Sequence, residues 1–185
     1  MTEFIQNICN TLKSILNDVV YLDIETTGID PVNSEVIEVG VIKVEAGKLK
    51  TFNTFVKNKK EVPIEIYSQC KGITKSNLEC APNIQEVESE LKKFIKDYTI
   101  IFHDTYNYKR FLNYYFPNLE NKIIDSKELA TVLEPYHREF TLDYLKKEIT
   151  KENTEEKNRA LYDALDILKI VNALIIRLKK KKNQL

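Results

Sequence analysis

Residues 21–28 read Tyr21-Leu22-Asp23-Ile24-Glu25-Thr26-Thr27-Gly28 and place two carboxylates inside an apolar run that begins at Val19. If this run is a strand, its period of two puts Asp23 and Glu25 on one face and the apolar residues between them on the other. Two adjacent carboxylates repel each other and lose hydration at a cost, so such a pair persists where a cation neutralises it. The Thr-Thr-Gly turn ends the strand next to the acids, at a position where sites are common. The alternative is a solvent-facing acidic edge strand.

Composition restricts the class of protein. The chain has 185 residues, 43% of them hydrophobic and 30% charged, which predicts one soluble globular domain. The formal net charge is zero, so any attraction to nucleic acid must be local. Three cysteines (Cys9, Cys70 and Cys80) show no metal-type spacing, which favours reduced thiols in a cytoplasmic protein without a zinc site. We find neither a signal peptide nor an apolar run long enough for a membrane span.

Periodicity divides the chain into three parts: a helical extension at 1–18, a main domain at 19–178 and a basic tail at 179–185. In the main domain, a hairpin around Ala46-Gly47 follows the acidic strand. The remaining pattern predicts helices at 84–98, 105–116, 126–134, 141–149 and 158–179, with short strands at 99–102 and 122–124. Three strands followed by alternating helices and strands predict an α/β fold with a mixed sheet flanked by helices.

The string Leu-Asp-Ile-Glu-Thr-Thr-Gly resembles the first motif of the DnaQ-like 3′–5′ exonucleases of the DEDD superfamily, DEDDh type. The resemblance covers nearly all of residues 19–175 in the family's order and implies a ribonuclease H-like fold. It also implies two-metal hydrolysis, in which Mg²⁺ or Mn²⁺ ions about 4 Å apart clamp the scissile phosphate. Asp23 and Glu25 match the first pair of family acids, and Asp23 would bridge the ions.

The second motif, roughly His-Asn-x-x-Phe-Asp in the family, corresponds to residues 103–108, His-Asp-Thr-Tyr-Asn-Tyr. Tyr108 therefore occupies the position of an expected acid. On a helix Tyr108 shares an apolar stripe with Phe111, which predicts a core residue. Asp104 lies one turn earlier. It is either a displaced metal ligand or, as we prefer, the N-cap of the helix.

The third motif, His-x-Ala-x-x-Asp in the family, corresponds to residues 158–163, Asn-Arg-Ala-Leu-Tyr-Asp. Asp163 heads an apolar stripe and should point toward the sheet, so we predict it to be a metal ligand. Asn158 replaces the family's His and has no titratable proton to act as a general base. The Tyr-x-x-x-Asp pattern of Tyr-type relatives also fits, with Asp166 as the ligand. Asp166 aligns with a more polar face, so Asp163 is preferred.

The resemblance also implies a set of substrate contacts. The backbone at Gly72 could approach a nucleotide closely, and Ile29 or Tyr67 could pack on its base. Ordinary turn and core contacts are the alternative for each residue. The full predicted set is Thr26, Ile29, Tyr67, Gly72, Ile73 and His103.

Together these features predict a 3′–5′ exonuclease domain that acts on single-stranded 3′ ends of DNA or RNA, with DNA preferred, and that has impaired activity and one or two bound ions. The impairment follows from Tyr108 and Asn158, which replace an acid and a base. The alternative is an inactive module that binds nucleic acid or a protein partner. Relatives often accompany a polymerase or a helicase, as a partner or a fused domain, in DNA replication or repair.

Overall fold

The computed structural model describes residues 18–151 and 158–183. A five-stranded mixed sheet with strand order β3-β2-β1-β4-β5 forms its centre. The strands are β1 (Val19–Thr26), β2 (Val36–Glu45), β3 (Lys48–Phe55), β4 (Thr99–Phe102) and β5 (Ile123–Asp125). The helices are α1 (Ile64–Gln69), α2 (Lys75–Glu79), α3 (Ile84–Ile95), α4 (Thr105–Tyr115), α5 (Ser126–Leu133), α6 (Leu142–Leu145) and α7 (Ala160–Asn183), and a π-helical turn (Lys146–Thr150) extends α6.

The acidic strand β1 lies in the middle of the sheet, antiparallel to β2 and parallel to β4. Alternate residues of β1 pack into two separate hydrophobic clusters, one on each face of the sheet. Val20, Leu22 and Ile24 pack in a cluster that includes residues of α3 and α4. Val19 and Tyr21 pack on the other side against residues of α7. The period of two therefore puts the acids at 23 and 25 on the face covered by α7.

Helix α7 approaches strand β2 very closely at Gly40. A β-carbon built on Gly40 would lie 2.3 Å from the backbone carbonyl carbon of Ala160 and from the amide nitrogen of Leu161. No side chain can occupy that space without displacing backbone atoms. Gly40 also pairs with Asp23 in the β1–β2 register, so the start of α7 is packed directly beside the acids.

The predicted α/β architecture is confirmed, and the differences lie at element ends and in two short additional helices. The helix expected at 84–98 ends at Ile95, and the helix expected at 141–149 changes to a π-helical turn after Leu145. Short helices α1 and α2 flank the loop at Gly72, where the sequence pattern predicted only a loop. Helix α7 continues into the predicted basic tail as far as Asn183. The helical extension expected at 1–18 lies outside the described residues except for Asp18.

Candidate active site

Three carboxylates meet at the end of β1 beneath the start of α7. Asp23, Glu25 and Asp163 each offer one oxygen, and these three oxygens lie within 4.8 Å of one another. The sequence predicted this convergence from the strand period and the inward stripe of α7. Carboxylate oxygens are the ligands that Mg²⁺ and Mn²⁺ prefer, and three of them at this spacing fit around one divalent ion.

The three carboxylates favour a bound cation because ionising them together without one costs free energy. Burial, and after it the charge of the neighbouring Glu38, raise the pKa of Glu25 to about 7. Burial also raises the pKa of Asp163 to about 8, with Glu25 as the next cause. The pKa of Asp23 is raised well above its usual value by burial and then by Asp163. A bound divalent cation would remove this penalty by neutralising the cluster.

Tyr108 stands beside the acids in place of a further carboxylate. Its ring packs against Phe102 and Phe111, with centroids 5.7 and 6.5 Å away, which confirms the predicted core contact. Burial raises the pKa of Tyr108 to about 12, and the charges of Asp23 and Glu25 contribute to the shift. The side chain is therefore a neutral phenol at neutral pH, suited neither to neutralising a second ion nor to acting as a base.

The position of the family's general base is also changed. Asn158 is exposed, has a φ of 42° and lines the same cavity as the acids.

His103, a predicted substrate contact, is buried and does not replace the general base. Its Nε2 lies 3.0 Å from the carbonyl oxygen of Phe140 and its Nδ1 lies 2.8 Å from the Ser126 hydroxyl. Because a carbonyl only accepts, Nε2 carries the proton and Nδ1 accepts from Ser126. Burial lowers the pKa of His103.

Asp104 occupies the N-cap position of helix α4 as predicted, but its side chain does not provide the cap. Asp104 adopts a left-handed conformation (φ 58°) and its side chain accepts no capping bond. Instead it accepts hydrogen bonds from Lys127 (3.0 Å) and Asn107 (2.9 Å). Asp125 satisfies the helix start by accepting bonds from the backbone N–H groups of residues 104 and 105. Asp104 lines the acidic cavity but lies outside the three-carboxylate cluster.

Asp166 does not lie on a solvated polar face as its alignment suggested. It is buried, and its carboxylate lies 2.5 Å from the Lys146 ammonium and 3.9 Å from that of Lys169. This ion pair ties α7 to the π-helical turn. Among the described residues, Asp163 rather than Asp166 joins the cluster, in agreement with the preferred prediction.

The cavity around the acids has a volume of about 390 Å³. Thr26, Tyr108 and Asp143 are among its lining residues. Asp143, at the start of α6, was not identified from the sequence, yet it contributes to the raised pKa of Asp163. Its position depends on how α6 folds back over the sheet, which local spacing does not reveal.

The other residues predicted to contact the substrate do not lie together in one cavity. Ile29 is 92% exposed and lines a neighbouring groove with Tyr106. Tyr67 lines a separate groove that shares no lining residue with the acidic cavity. Gly72 has a φ of 90°, a conformation that favours glycine, whereas Ile73 is buried in a small core beneath α1 and α2. The side chain of Ile73 is therefore not placed to contact a base.

The comparisons with known proteins agree with this geometry. The family model described as Exonuclease (RNase T) matches residues 20–171. The chain is 31% identical over 150 residues to the PolC-type DNA polymerase III of Bacillus cereus, covering 78% of this chain and 10% of that protein. It is 30% identical over 173 residues to the PolC-type enzyme of Caldanaerobacter subterraneus, covering 90% of this chain and 12% of that protein. The chain thus spans about a tenth of the length of these relatives.

Two solved structures share the fold. Exonuclease X in complex with 5′ overhanging duplex DNA superposes with a TM-score of 0.65 at 20% identity, covering 88% of this chain and 92% of that one. A full-length 3′-exonuclease superposes with a TM-score of 0.68 at 16% identity, covering 88% and 82%. Within residues 18–151 and 158–183, no helix has the length and apolarity needed to cross a bilayer. The three-carboxylate site, the ribonuclease H-like sheet and the family match together place this chain in the DnaQ-like DEDD 3′–5′ exonuclease family.

Proposed function

We propose that this domain hydrolyses nucleotides from the 3′ ends of single-stranded nucleic acid, DNA in preference to RNA, with Mg²⁺ or Mn²⁺ as cofactor. The observation that carries the proposal is the convergence of Asp23, Glu25 and Asp163 within 4.8 Å. Divalent ions bound there would polarise the scissile phosphate and lower the pKa of the attacking water. Asp23, Glu25 and Asp163 would hold these ions through their carboxylate oxygens.

Two other residues of the site, Tyr108 and Asn158, imply slow turnover. Tyr108 supplies no carboxylate for a second ion, and Asn158 cannot take a proton from water. Loss of a general base alone typically lowers a rate by about 10²–10⁴-fold. The two losses act within one unit, so their product is an upper bound on the combined effect.

Two grooves outside the acidic cavity support a nucleic-acid substrate. In the first, Ile29 and Tyr106 are 92% and 89% exposed, and the groove shares Asp104 and Tyr108 with the acidic cavity. Exposed aromatic and apolar groups next to a nuclease site suit stacked bases.

The second groove, of about 640 Å³, is lined in part by Ile64 and Tyr67 of α1, whose last residue Gln69 lines the acidic cavity. Four lysines line this second groove, together with two glutamates. The loop that carries Lys59 and Lys60 is held by the buried carboxylate of Glu35, which accepts hydrogen bonds from the backbone N–H groups of these two residues. In a chain of zero net charge, such a local basic surface suits the phosphate backbone of a strand that leads to the acids. The lysines are Lys57, Lys59, Lys60 and Lys75.

The PolC-type relatives support a polymerase context, in which this domain acts as a partner of a polymerase or as part of a longer chain. A helicase partner is a further possibility that follows from the family resemblance.

The second candidate function is a catalytically inactive module that binds nucleic acid or docks a partner. The packing of Tyr108 against Phe102 favours it, because an aromatic ring occupies the position of an acid. The two functions differ in turnover but share the substrate surface.

One experiment separates them. A crystal soaked with Mn²⁺ and a nucleoside 5′-monophosphate should show metal at Asp23 and phosphate within reach of it. Parallel assays on a strand labelled at its 5′ end should show stepwise shortening that Asp23→Ala abolishes. Metal and nucleotide binding without shortening would support the inactive module, and absence of both metal and nucleotide would exclude the nuclease.

A further inference from the structure

Glu38 and Arg159 form a buried, bidentate ion pair next to the acids. Glu38 is fully buried near the start of β2. The Arg159 Nε and one terminal nitrogen donate hydrogen bonds of 2.8 Å each to the two Glu38 oxygens. Parallel paired bonds of this kind fix both distance and orientation. Neither residue was identified as functional from the sequence, although a glutamate within the apolar run of β2 indicates a buried charge that needs a partner.

The ion pair joins the start of α7, the helix that carries Asp163, to β2, the strand that pairs with the Asp23 and Glu25 strand β1. Glu38 pairs directly with Glu25 in the register of β1 and β2. Arg159 immediately precedes α7, and the backbone N–H of Ala160 also contacts the Glu38 carboxylate at 3.3 Å. The backbone N–H of Asp163 bonds to the carbonyl oxygen of Arg159 at 3.1 Å, so the acid lies one helical turn beyond the pair.

The guanidinium of Arg159 is held from other directions as well. It lies 5.3 Å from the centroid of the Phe55 ring. It also donates a hydrogen bond of 3.3 Å to the carbonyl oxygen of Lys71, the residue before Gly72. A β-carbon on Gly72 would lie 3.2 Å from the same guanidinium, so the loop is packed tightly against it. Arg159 thus connects the start of α7 with β2, β3 and the loop that follows α1.

We propose that Glu38 and Arg159 are positioning residues for metal binding: their ion pair sets the separation between strand β1 and helix α7, and thereby the distance between the carboxylates that share a divalent ion. This inference rests on the metal-dependent function proposed above. It adds residues that contact neither the ion nor the substrate. Residues that orient metal ligands typically change metal affinity by about 10–100-fold when they are substituted.

Three roles for the pair predict different effects on Mn²⁺ affinity. If Arg159 acted only through its positive charge, Arg159→Gln would strengthen cation binding, while Glu38→Gln would weaken it. If the pair only stabilised the fold, both variants would melt earlier, but the folded fraction would bind Mn²⁺ as the parent does. If the pair positions the acids, both variants weaken Mn²⁺ binding.

The test measures Mn²⁺ affinity by titration calorimetry at a temperature well below each variant's melting transition. We expect Arg159→Gln and Glu38→Gln each to weaken binding by about tenfold or more. The matched control is Arg177→Gln, because Arg177 also ties α7 to another element through the carbonyl oxygens of Glu148 and Ile149. Its affinity should stay within about twofold of the parent, because Arg177 lies more than three helical turns from Asp163.

A conservative variant, Arg159→Lys, tests the same role in case Arg159→Gln fails to fold. Arg159→Lys keeps the charge but loses the paired hydrogen bonds, so it should weaken Mn²⁺ binding by a smaller factor than Arg159→Gln. Unchanged or tighter binding by a folded Arg159→Gln or Arg159→Lys variant would overturn the positioning role while leaving the proposed function intact. A parent protein that binds no Mn²⁺ would overturn both.

Discussion

Tyr108 packs its ring 5.7 Å from that of Phe102 and also lines the cavity that holds Asp23. One side chain thus belongs both to the hydrophobic core and to the wall of the candidate active site. A carboxylate at this position would face the other acids and would need an ion to neutralise it. The aromatic residue removes that need and stabilises the fold through packing, so the second metal position loses a ligand while the core gains a ring.

Restoring the two missing groups should increase activity. We expect Tyr108→Asp combined with Asn158→His to raise the rate of 3′-end shortening by more than the sum of the increases from the two single changes. The reason is that the metal ligand and the base act together. The measurement is single-turnover hydrolysis of a labelled strand in Mn²⁺.

Tyr108→Asp also removes a ring from the core and buries an acid, which should lower the free energy of unfolding by about 3 kcal/mol. Melting curves must therefore show a folded double variant first. A folded, Mn²⁺-binding double variant that stays inert on every 3′ end would favour the inactive module.

The identity of the ion should matter for the parent protein. We expect weak hydrolysis that is faster in Mn²⁺ than in Mg²⁺, because Mg²⁺ demands nearly ideal octahedral geometry and an incomplete carboxylate shell satisfies it poorly. Rates on one DNA strand at matched concentrations of the two ions would test this, with Asp23→Ala as the background. Robust turnover in Mg²⁺ that Asp23→Ala abolishes would contradict it and would direct attention to Asp104 as a substitute ligand.

Stability should depend on pH in a direction set by the acids. The pKa values of Glu25 and Asp163 are raised to about 7 and 8, above the values near 4 of the unfolded chain. Between pH 4 and 8 the folded state therefore binds more protons than the unfolded state, and the free energy of unfolding falls as pH rises. In EDTA, the melting temperature should be several degrees lower at pH 8 than at pH 5.

Two additions make this prediction specific to the acids. Mn²⁺ at pH 8 should recover the loss, because the ion binds the ionised carboxylates. Asp163→Asn should reduce the pH dependence, because it removes one of the titrating groups. A metal-free protein that becomes more stable between pH 5 and 8 would show that other groups dominate.

The close approach of α7 to β2 should make Gly40 intolerant of substitution. Gly40→Ala places a β-carbon 2.3 Å from backbone atoms of residues 160 and 161, so α7 must shift. We expect a loss of about 1–3 kcal/mol in the free energy of unfolding, and weaker Mn²⁺ binding because Asp163 moves with the helix. Chemical denaturation and Mn²⁺ titration would measure the two effects.

Gly47 provides the control, since a β-carbon there meets nothing within 4 Å. Its φ of 73° still makes Gly47→Ala unfavourable by about 1 kcal/mol, but Mn²⁺ affinity should not change. Equal Mn²⁺ affinity in the Gly40 and Gly47 variants would contradict the proposed coupling between helix position and metal binding.

The lysine groove should contribute to binding of long strands. Replacing Lys57 and Lys59 with Gln should weaken binding of a single-stranded oligonucleotide and lower the slope of log affinity against log salt by about 0.7 for each lost phosphate contact. Hydrolysis of a small phosphodiester that reaches only the acids should not change. The control is Lys179→Gln with Lys180→Gln, at exposed positions near the end of α7. An equal effect there would place the phosphate contacts on the basic end of that helix.

The sequence by itself determined the strand that carries Asp23 and Glu25, the hairpin that follows it and the inward face of Asp163. These features depend on local periodicity, in which the side-chain direction follows from the spacing of the residues alone. The same periodicity identified Tyr108 as a core residue before any contact was known.

Only the tertiary structure decided how Glu38 meets Arg159, which lies 121 positions further along the chain, and how Asp125 rather than Asp104 satisfies the start of α4. Pairings of this kind depend on the sheet order and on the packing of α7 at Gly40. A buried carboxylate in a sequence indicates that a partner exists, but the partner's identity follows from which distant element the chain brings beside it.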